Sequence, residues 1–239
     1  MVTRSMLFKV TGITEAMVQQ RLSDLGGQGN PGLAYLAKPG EVHVRVTARD
    51  LKPEVAGEMV SELAAKVKER LVDFIFALDD EVLEEVVGRL LTEGGVKIAV
   101  AESCTGGLIA TRLTNVPGSS GYFLGSIVAY DNQIKERFLG VSKDVLEKHG
   151  AVSKETAEAM ARGIQNLLKP ELGLGVTGIA GPGGGTETKP VGLVFIALAT
   201  PGGTYCRQFR FPGERPGVRW GASNAGLNMI RLYLRDELC

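Results

Sequence analysis

The sequence predicts an α/β protein with two domains, a small α+β domain over residues 1–79 and a larger layered α/β domain over residues 80–239. Three observations support this prediction. The chain has 239 residues, which suits one large domain or two small ones. The first stretch shows the order β-α-β-β-α-β. The second stretch alternates strand and helix patterns, which is typical of layered α/β domains.

In the first domain, Val42, Val44 and Val46 alternate with polar residues, which is the pattern of a half-buried strand. A helical pattern follows from Pro53 to Leu71, and proline is acceptable in a first helical turn. The other predicted elements are strands near residues 7–10, 33–36 and 73–77 and a helix near residues 14–25.

The segment Gly26-Gly27-Gln28-Gly29 fits the G-x-x-G loop of KH domains. Four residues with three glycines are a weak signal, and no basic stripe accompanies them. A simple turn is therefore the favoured interpretation of this segment.

In the second domain, glycines and capping residues mark the ends of the elements. Gly94-Gly95 ends a first helix, and Ser153 caps a long one. Pro201-Gly202-Gly203 separates two strand patterns, which predicts a hairpin. The predicted helices cover residues 80–92, 104–113, 144–148, 153–168 and 216–234, and the predicted strands cover residues 97–101, 125–130, 172–176, 191–199 and 204–211.

Charge and hydropathy exclude several classes of protein. The 27 basic and 27 acidic residues give a formal net charge of zero, so nothing draws the whole chain to nucleic acid. No apolar run approaches the roughly 20 residues of a spanning helix. The segment Met1–Lys9 has no export signal. We therefore expect a cytoplasmic protein with no membrane partner and no nucleic-acid partner.

Cysteine and histidine usage limits the chemistry further. Cys104, Cys206 and Cys239 are scattered, odd in number and without metal spacing, which is typical of reduced cytosolic thiols. With only His43 and His149 available, a zinc site would need an unusual ligand set. A histidine-based catalytic triad is not expected either. We predict no metal and no cofactor.

The segment Ala101–Gly107 follows a predicted strand and opens a predicted helix. Such a junction presents backbone N–H groups and the positive end of a helix to an anion. Ser103 or Cys104 are also candidate nucleophiles here, because a helix start lowers the pKa of a thiol. A capped strand-to-helix turn explains the same residues equally well, so the local pattern leaves both interpretations open.

Ser120, Tyr130 and Lys135 are the parts of a nucleophilic site without histidine. A serine hydroxyl needs a base, and a buried lysine can serve if burial holds its pKa low enough. Ten residues in a straight strand would span about 33 Å. Ser120 and Tyr130 can therefore meet only if the chain between them folds back, which Gly121 and Gly125 make feasible. On the local pattern, a surface loop, an edge tyrosine and a solvated lysine are favoured.

Two further clusters have the composition of a ligand site. The glycine-rich segment Thr177–Thr186 follows a strand, where loops of α/β folds carry sites, but it lacks the Gly-Lys-Ser/Thr ending of a Walker loop. Arg215 and Arg219 lie four residues apart, so they share a face if both are helical. Two guanidinium groups suit a phosphate monoester, whereas the alternative is a pair of solvent-exposed arginines.

These clusters, in this order, resemble the C-terminal domain of the CinA competence/damage-inducible family, which also occurs alone as nicotinamide-nucleotide amidase. The resemblance covers about residues 80–237. Residues 4–78 resemble the KH-like domain of the longer members, which also carry an upstream molybdopterin-binding-like domain that is not in this sequence. The matching segments are AESCTGG at 101–107, PGSS at 117–120, VAYDNQIK at 128–135, HGAVS at 149–153, TGIAGPGGG at 177–185, KPVG at 189–192 and the F-GER---R pattern at 211–219.

The resemblance implies a three-layer α/β/α amidase domain that hydrolyses nicotinamide mononucleotide to nicotinate mononucleotide and ammonia. It places the nucleophile on Ser120, with Tyr130 and Lys135 assisting. It also implies a homo-oligomer, at least a dimer, that needs no cofactor. The predicted substrate-binding residues are Glu102, Ser103, Thr105, Gly106, Gly178, Ile179, Ala180, Gly181, Arg215 and Arg219.

Three other functions compete with the amidase. The family's names suggest a non-catalytic interaction module linked to competence or DNA damage. A thiol enzyme would use Cys104 as the nucleophile. Nucleic-acid binding through the first domain would give an affinity that falls steeply with salt.

Overall fold

The structure is a computed structural model that describes residues 1–26 and 29–238. It divides into two compact units, and the division falls between Leu83 and Glu84. The sequence placed the domain boundary between residues 79 and 80, a few residues earlier. Gly27 and Gln28 of the G-x-x-G segment lie outside the described residues, as does Cys239.

The first unit is an antiparallel sheet with two helices, in the predicted order of elements. The strands pair in the order β2-β3-β1-β4. The alternating valines of β3, Val42, Val44 and Val46, are buried in the core beside Leu63 and Val67 of α2. The elements are β1 (Val2–Thr11), α1 (Glu15–Arg21), β2 (Gly32–Lys38), β3 (Glu41–Asp50), α2 (Pro53–Leu71) and β4 (Ile75–Leu78).

The second unit is built around a five-stranded mixed sheet. Its strands pair in the order β6-β5-β7-β8-β9, with β6, β5 and β7 parallel and the β8–β9 hairpin antiparallel to them. The elements are α3 (Leu83–Glu93), β5 (Ile98–Glu102), α4 (Leu108–Thr114), β6 (Phe123–Val128), α5 (Asn132–Leu139), α6 (Lys143–His149), α7 (Lys154–Leu168), β7 (Leu172–Gly178), β8 (Leu193–Thr200), β9 (Gly203–Arg210) and α8 (Arg215–Leu234), with a short 3₁₀ turn at Ser119–Gly121.

Strand β7 shows why this unit has three layers. Gly173 and Gly175 face α7, where a Cβ on Gly175 would lie 2.5 Å from the carbonyl oxygen of Ala157. Leu174 points the other way, toward Gly226 of α8. The period-two alternation of a strand therefore places α7 on one face of the sheet and α8 on the other. The predicted α/β class, with a layered second domain, is confirmed.

The carboxyl ends of β5, β6 and β7 lie at the same edge of the sheet. The turn after β5, the segment after β6 and the loop after β7 begin at Ser103, Ala129 and Ile179. Because parallel strands end together, the predicted clusters from these three places meet at one edge.

Candidate functional site

Glu102, the last residue of β5, organises the turn into α4. Its side chain is fully buried and accepts hydrogen bonds from the backbone N–H groups of Gly107 (3.0 Å), Ile109 (3.1 Å) and Ala110 (2.9 Å). The N–H groups that a bound anion would use are thus already occupied by a carboxylate. We predicted a substrate contact for Glu102, but the structure gives this carboxylate the role of positioning the turn.

The turn itself needs two glycines. Gly106 has φ +59° and Gly107 has φ +90°, in the left-handed region that other residues rarely adopt. The carbonyl of Thr105 points at Arg219, which donates to it from Nε (3.1 Å) and from a terminal nitrogen (2.7 Å). Arg219 therefore holds the turn. The buried Thr105 hydroxyl has no partner among the described residues, which leaves it available to a bound group.

Ser103 and Cys104 are both buried after the end of β5, and the backbone N–H of Ser103 is bonded to the carbonyl of Val176 in β7. Burial raises the pKa of the Cys104 thiol to about 12, so the thiol stays protonated near neutral pH. The expectation that a helix start lowers this pKa is wrong, because desolvation outweighs the backbone hydrogen bonds that act in the opposite direction.

Lys135, on α5, is a buried amine at the same edge of the sheet. Lys135 is 1% exposed, and its Nζ lies 3.4 Å from the carbonyl oxygen of Tyr130. None of the ion pairs found among residues 1–26 and 29–238 involves this Nζ. Burial lowers the pKa of Lys135, while the nearby Asp131 and Cys104 act in the opposite direction. The local pattern favoured a solvated lysine at position 135, and that prediction is therefore wrong.

Arg215 connects the segment after β6 to the loop after β7. One terminal nitrogen of its guanidinium donates to the Tyr130 hydroxyl at 2.6 Å, and the other donates to the carbonyl of Gly181 at 2.9 Å. Tyr130 is 58% exposed, so its hydroxyl is fixed by this arginine and not by burial. Arg215 and Arg219 share the start of α8 as predicted, but they hold different loops.

The loop after β7 begins as a continuation of the sheet. The N–H of Ile179 donates to the carbonyl of Leu193, and the carbonyl of Ile179 accepts from Gly192. Gly178 is still paired with Val194 in the ladder. The N–H of Ile179 is therefore not free to bind an oxyanion.

Ala180, which is buried, follows Ile179 and precedes the Gly181 carbonyl held by Arg215. The structure thus gathers one group of predicted residues at the carboxyl edge of the sheet: Ser103, Thr105, Gly106, Gly178, Ile179, Ala180, Gly181, Tyr130, Lys135, Arg215 and Arg219.

Ser120 is not in this group. It is exposed on the 3₁₀ turn before β6, whereas Tyr130 follows the end of that strand. The strand from Phe123 to Val128 alone extends roughly 17 Å. The segment does not fold back, because it pairs in parallel with β5 along its length. Within one chain, the serine and the lysine lie at opposite ends of β6.

The sequence patterns did not predict a role for Arg112, a buried arginine on α4. Arg112 bonds the carboxylate of Glu84 at 2.7 Å and the side chains of Ser223 and Asn224 at 2.7 and 2.6 Å, and its guanidinium lies 4.7 Å from the Trp220 ring. The sequence feature that indicates a buried role is the position of this arginine inside the apolar segment Leu108–Leu113. All its polar contacts are internal, so it joins α3, α4 and α8.

The described residues contain neither a helix that could cross a membrane nor a group of three or more metal-ligating side chains. The fold and the site together define a two-unit α/β protein with a buried lysine and an arginine-linked tyrosine at the carboxyl ends of its parallel strands.

Comparison with known proteins identifies the family. The CinA C-terminal domain matches residues 80–234, and the KH domain of damage-inducible protein CinA matches residues 5–77. The chain belongs to the CinA family.

Two longer relatives agree with this assignment. The putative competence-damage inducible protein of Desulforudis audaxviator is 51% identical over 236 residues, which cover 99% of this chain and 57% of that protein. The protein of the same name from Desulforamulus reducens is 51% identical over 98% of this chain and 56% of its own length. The chain thus spans a little over half the length of these relatives.

Solved structures match about two thirds of this chain. The competence/damage inducible protein CihA of Agrobacterium tumefaciens is 37% identical, with a TM-score of 0.61, over 65% of this chain and 97% of that one. A CinA superfamily protein of Klebsiella pneumoniae is 28% identical, with a TM-score of 0.63, over 64% of this chain and 96% of that one.

Proposed function

We propose that this chain is an amidohydrolase that converts nicotinamide mononucleotide to nicotinate mononucleotide and ammonia, and that residues 80–239 carry the activity while residues 1–79 form the KH-like domain. The observation that carries the proposal is the buried Lys135 amine without a carboxylate partner among the described residues. A buried amine with a lowered pKa can be neutral and accept a proton, which is unusual for a purely structural lysine.

The proposed nucleophile is Ser120, which the family resemblance favours. Ser120 and Lys135 of one chain lie at opposite ends of β6, so this step requires Ser120 from a second copy in the homo-oligomer that the resemblance implies. Neutral Lys135 then takes the hydroxyl proton, directly or through Tyr130, as the serine oxygen attacks the carboxamide carbon. The positive pyridinium ring withdraws electrons from that carbon. The same charge, bound nearby, helps to keep the lysine neutral.

The tetrahedral intermediate then collapses. The carbon–nitrogen bond breaks, and the lysine ammonium returns its proton to the leaving nitrogen, which departs as ammonia. Water next attacks the acyl-serine and gives a proton to Lys135, which passes it to the serine oxygen as nicotinate mononucleotide leaves. Each step conserves protons without a metal or a redox partner.

The substrate would lie against the residues at the carboxyl edge of the sheet. Arg215 keeps Tyr130 in place and contributes positive charge for the 5′-phosphate. The unpartnered Thr105 hydroxyl is a candidate polar contact. Arg219 and Glu102 act indirectly, because both hold the turn that contains Thr105 and Gly106.

The test is release of ammonia from nicotinamide mononucleotide by the purified chain, by its Ser120→Ala variant and by Ser119→Ala. Ser119 is the matched control, because it shares the same 3₁₀ turn. We expect release by the unmodified chain and by Ser119→Ala, and none by Ser120→Ala. Near-normal release by Ser120→Ala would remove Ser120 as the nucleophile.

A second candidate function is a non-catalytic interaction module linked to competence or DNA damage. The names of the longer relatives, which refer to competence and damage, favour it. Absence of ammonia release from the unmodified chain, together with capture of recombination proteins or DNA by the same preparation, would support this function instead.

A further inference from the structure

We infer that Lys189 is a positioning residue of the amidase site, because it ties the glycine-rich loop after β7 (residues 179–192) to the turn between α6 and α7 (residues 150–153). This inference rests on the proposed function. The Nζ of Lys189 donates a hydrogen bond of 2.6 Å to the carbonyl of His149, which lies 40 residues earlier in the sequence. A short contact between an ammonium and a carbonyl is a charge-assisted hydrogen bond, which is stronger than a neutral one.

The turn between α6 and α7 is held at the carboxyl end of β7. The carbonyl of Ala151 accepts a hydrogen bond of 2.6 Å from the hydroxyl of Thr177, the second-last residue of that strand. The carbonyl of Gly150 accepts one of 2.8 Å from the hydroxyl of Thr156 on α7. These two bonds fix the turn to the sheet and to the helix that follows. The bond from Lys189 is the contact that joins the same turn to the loop.

The end of α6 is shaped to receive this ammonium. His149 is the last residue of the helix, and carbonyls at a helix end lack partners within the helix and favour a positive charge. Gly150 follows with φ +77°, in the left-handed region, and a Cβ there would lie 3.1 Å from the Nζ of Lys189. A glycine at this position therefore lets the ammonium approach the carbonyl closely.

The loop after β7 is held at both ends. Near its start, the carbonyl of Gly181 accepts from Arg215, which also donates to the Tyr130 hydroxyl. Near its end, the backbone N–H of Lys189 donates to the hydroxyl of Thr186 at 3.0 Å, and the carbonyl of Lys189 accepts from the N–H of Thr186 at 2.8 Å. Residues 182–188, which lie between these points, are exposed. The loop thus connects the arginine that orients Tyr130 to the turn before α7.

Lys189 acts on the site through this loop. Its side-chain hydrogen bond in the described part of the chain goes to His149 and not to Lys135 or Tyr130. Without the ammonium, the far end of the loop is no longer tied to the turn, so the two segments can separate. Both segments lie at the carboxyl edge of the sheet, where the proposed substrate lies. Loss of Lys189 should therefore weaken substrate binding more than it slows the chemical step.

Steady-state kinetics with nicotinamide mononucleotide test this role. We expect Lys189→Met to raise KM about tenfold and to leave kcat within about threefold of the unmodified chain. Lys189→Arg should restore most of the affinity, because a guanidinium also donates to a carbonyl. Lys148→Met is the control, since Lys148 is exposed on the last turn of α6. It should change neither constant.

A purely structural role for Lys189 predicts a different result. Capping of α6 alone would lower Tm and the amount of folded enzyme, so kcat would fall while KM stayed the same. That outcome, or an unchanged KM together with an unchanged Tm, would overturn the inference. Calorimetry on the same preparations measures Tm.

Hydrogen–deuterium exchange tests the connection without substrate. We expect Lys189→Met to speed exchange in peptides from residues 149–153 and from residues 179–192 together, because each segment loses the same contact. Lys148→Met should speed neither. Faster exchange in one segment alone, or in neither, would contradict the connection. Absence of ammonia release from the unmodified chain would instead count against the proposed function, while the exchange result would still show whether Lys189 joins the two segments.

Discussion

The Arg215 guanidinium and the Tyr130 hydroxyl lie 2.6 Å apart, although 85 residues separate them in the sequence. The same guanidinium donates to the carbonyl of Gly181, so it joins the ends of β6 and β7. A planar guanidinium supplies two separate donors to these two acceptors, and a lysine ammonium cannot reproduce this geometry. Arg215 therefore fixes the orientation of an otherwise exposed tyrosine.

Arg215→Lys is expected to keep the positive charge and to lose one of the two contacts. We expect kcat/KM for nicotinamide mononucleotide to fall about 10- to 100-fold, which corresponds to the loss of one charge-assisted hydrogen bond. Steady-state kinetics measure the effect. Arg210→Lys, an exposed arginine at the end of β9, is the control and should change nothing. Equal kinetics for the two variants would remove Arg215 from the site.

The lowered pKa of Lys135 predicts how activity depends on pH. The neutral amine is the proposed base, so kcat/KM should rise with pH and level off once the amine has lost its proton. The midpoint should lie below 10.5, the ordinary value, because burial disfavours the charged form. A pH–rate profile of the unmodified chain measures this midpoint. A profile that falls across the same range would exclude Lys135 as the base.

The lowered pKa of Lys135 also predicts how the stability of the folded protein depends on pH. Because the pKa is lowered on folding, the unfolded chain holds the proton more tightly, and the folded state gains stability as pH rises toward 10.5. Lys135→Met removes the buried amine and is expected to raise Tm at pH 7 by about 2–4 °C while abolishing activity. Differential scanning calorimetry measures both the gain and its disappearance at high pH. A lower Tm at pH 7 would show that the amine stabilises the fold.

Glu102→Gln should destabilise the second unit. The amide that replaces one carboxylate oxygen would face backbone N–H groups as a second donor, leaving buried donors unpaired. We expect a loss of about 2–4 kcal/mol in the free energy of unfolding, measured with denaturant. Glu93→Gln, exposed near the end of α3, should stay within about 0.5 kcal/mol. Similar losses in the free energy of unfolding for Glu102→Gln and Glu93→Gln would mean that Glu102 does not support the turn.

Cys104→Ser separates the amidase from a thiol enzyme. Burial raises the pKa of this thiol to about 12, so it carries almost no thiolate near neutral pH. We expect ammonia release to stay within about threefold of the unmodified chain. Iodoacetamide at pH 8 should likewise leave activity unchanged. Complete loss of activity in Cys104→Ser with an unchanged Tm would make Cys104 the nucleophile.

Gly175→Ala tests the packing of α7 against the sheet. A Cβ there would lie 2.5 Å from the carbonyl oxygen of Ala157, so the helix must move. We expect the free energy of unfolding to fall by about 1–3 kcal/mol, which would appear as a lower Tm of the second unit. Gly57→Ala, in α2 with open space around the added carbon, should instead stabilise the first unit by about 1 kcal/mol. A neutral Gly175→Ala would show that α7 is loosely packed.

Much of this protein is determined by local sequence patterns. The alternation Val42, Val44, Val46 predicted β3, and the turn Pro201-Gly202-Gly203 predicted the β8–β9 hairpin, because period and turn chemistry act over a few residues. The order of motifs also identified the family, which the domain matches confirm. Those signals needed no knowledge of distant contacts.

The tertiary structure decided which of the candidate residues meet. Glu102 was predicted to contact substrate, but its carboxylate caps the next helix, and burial suppresses the thiolate of Cys104. The sequence placed Ser120 and Lys135 fifteen positions apart, whereas the structure places a full strand between them. Burial and spatial proximity depend on how strands pair and helices pack across the whole unit, and this is why local patterns could not determine them.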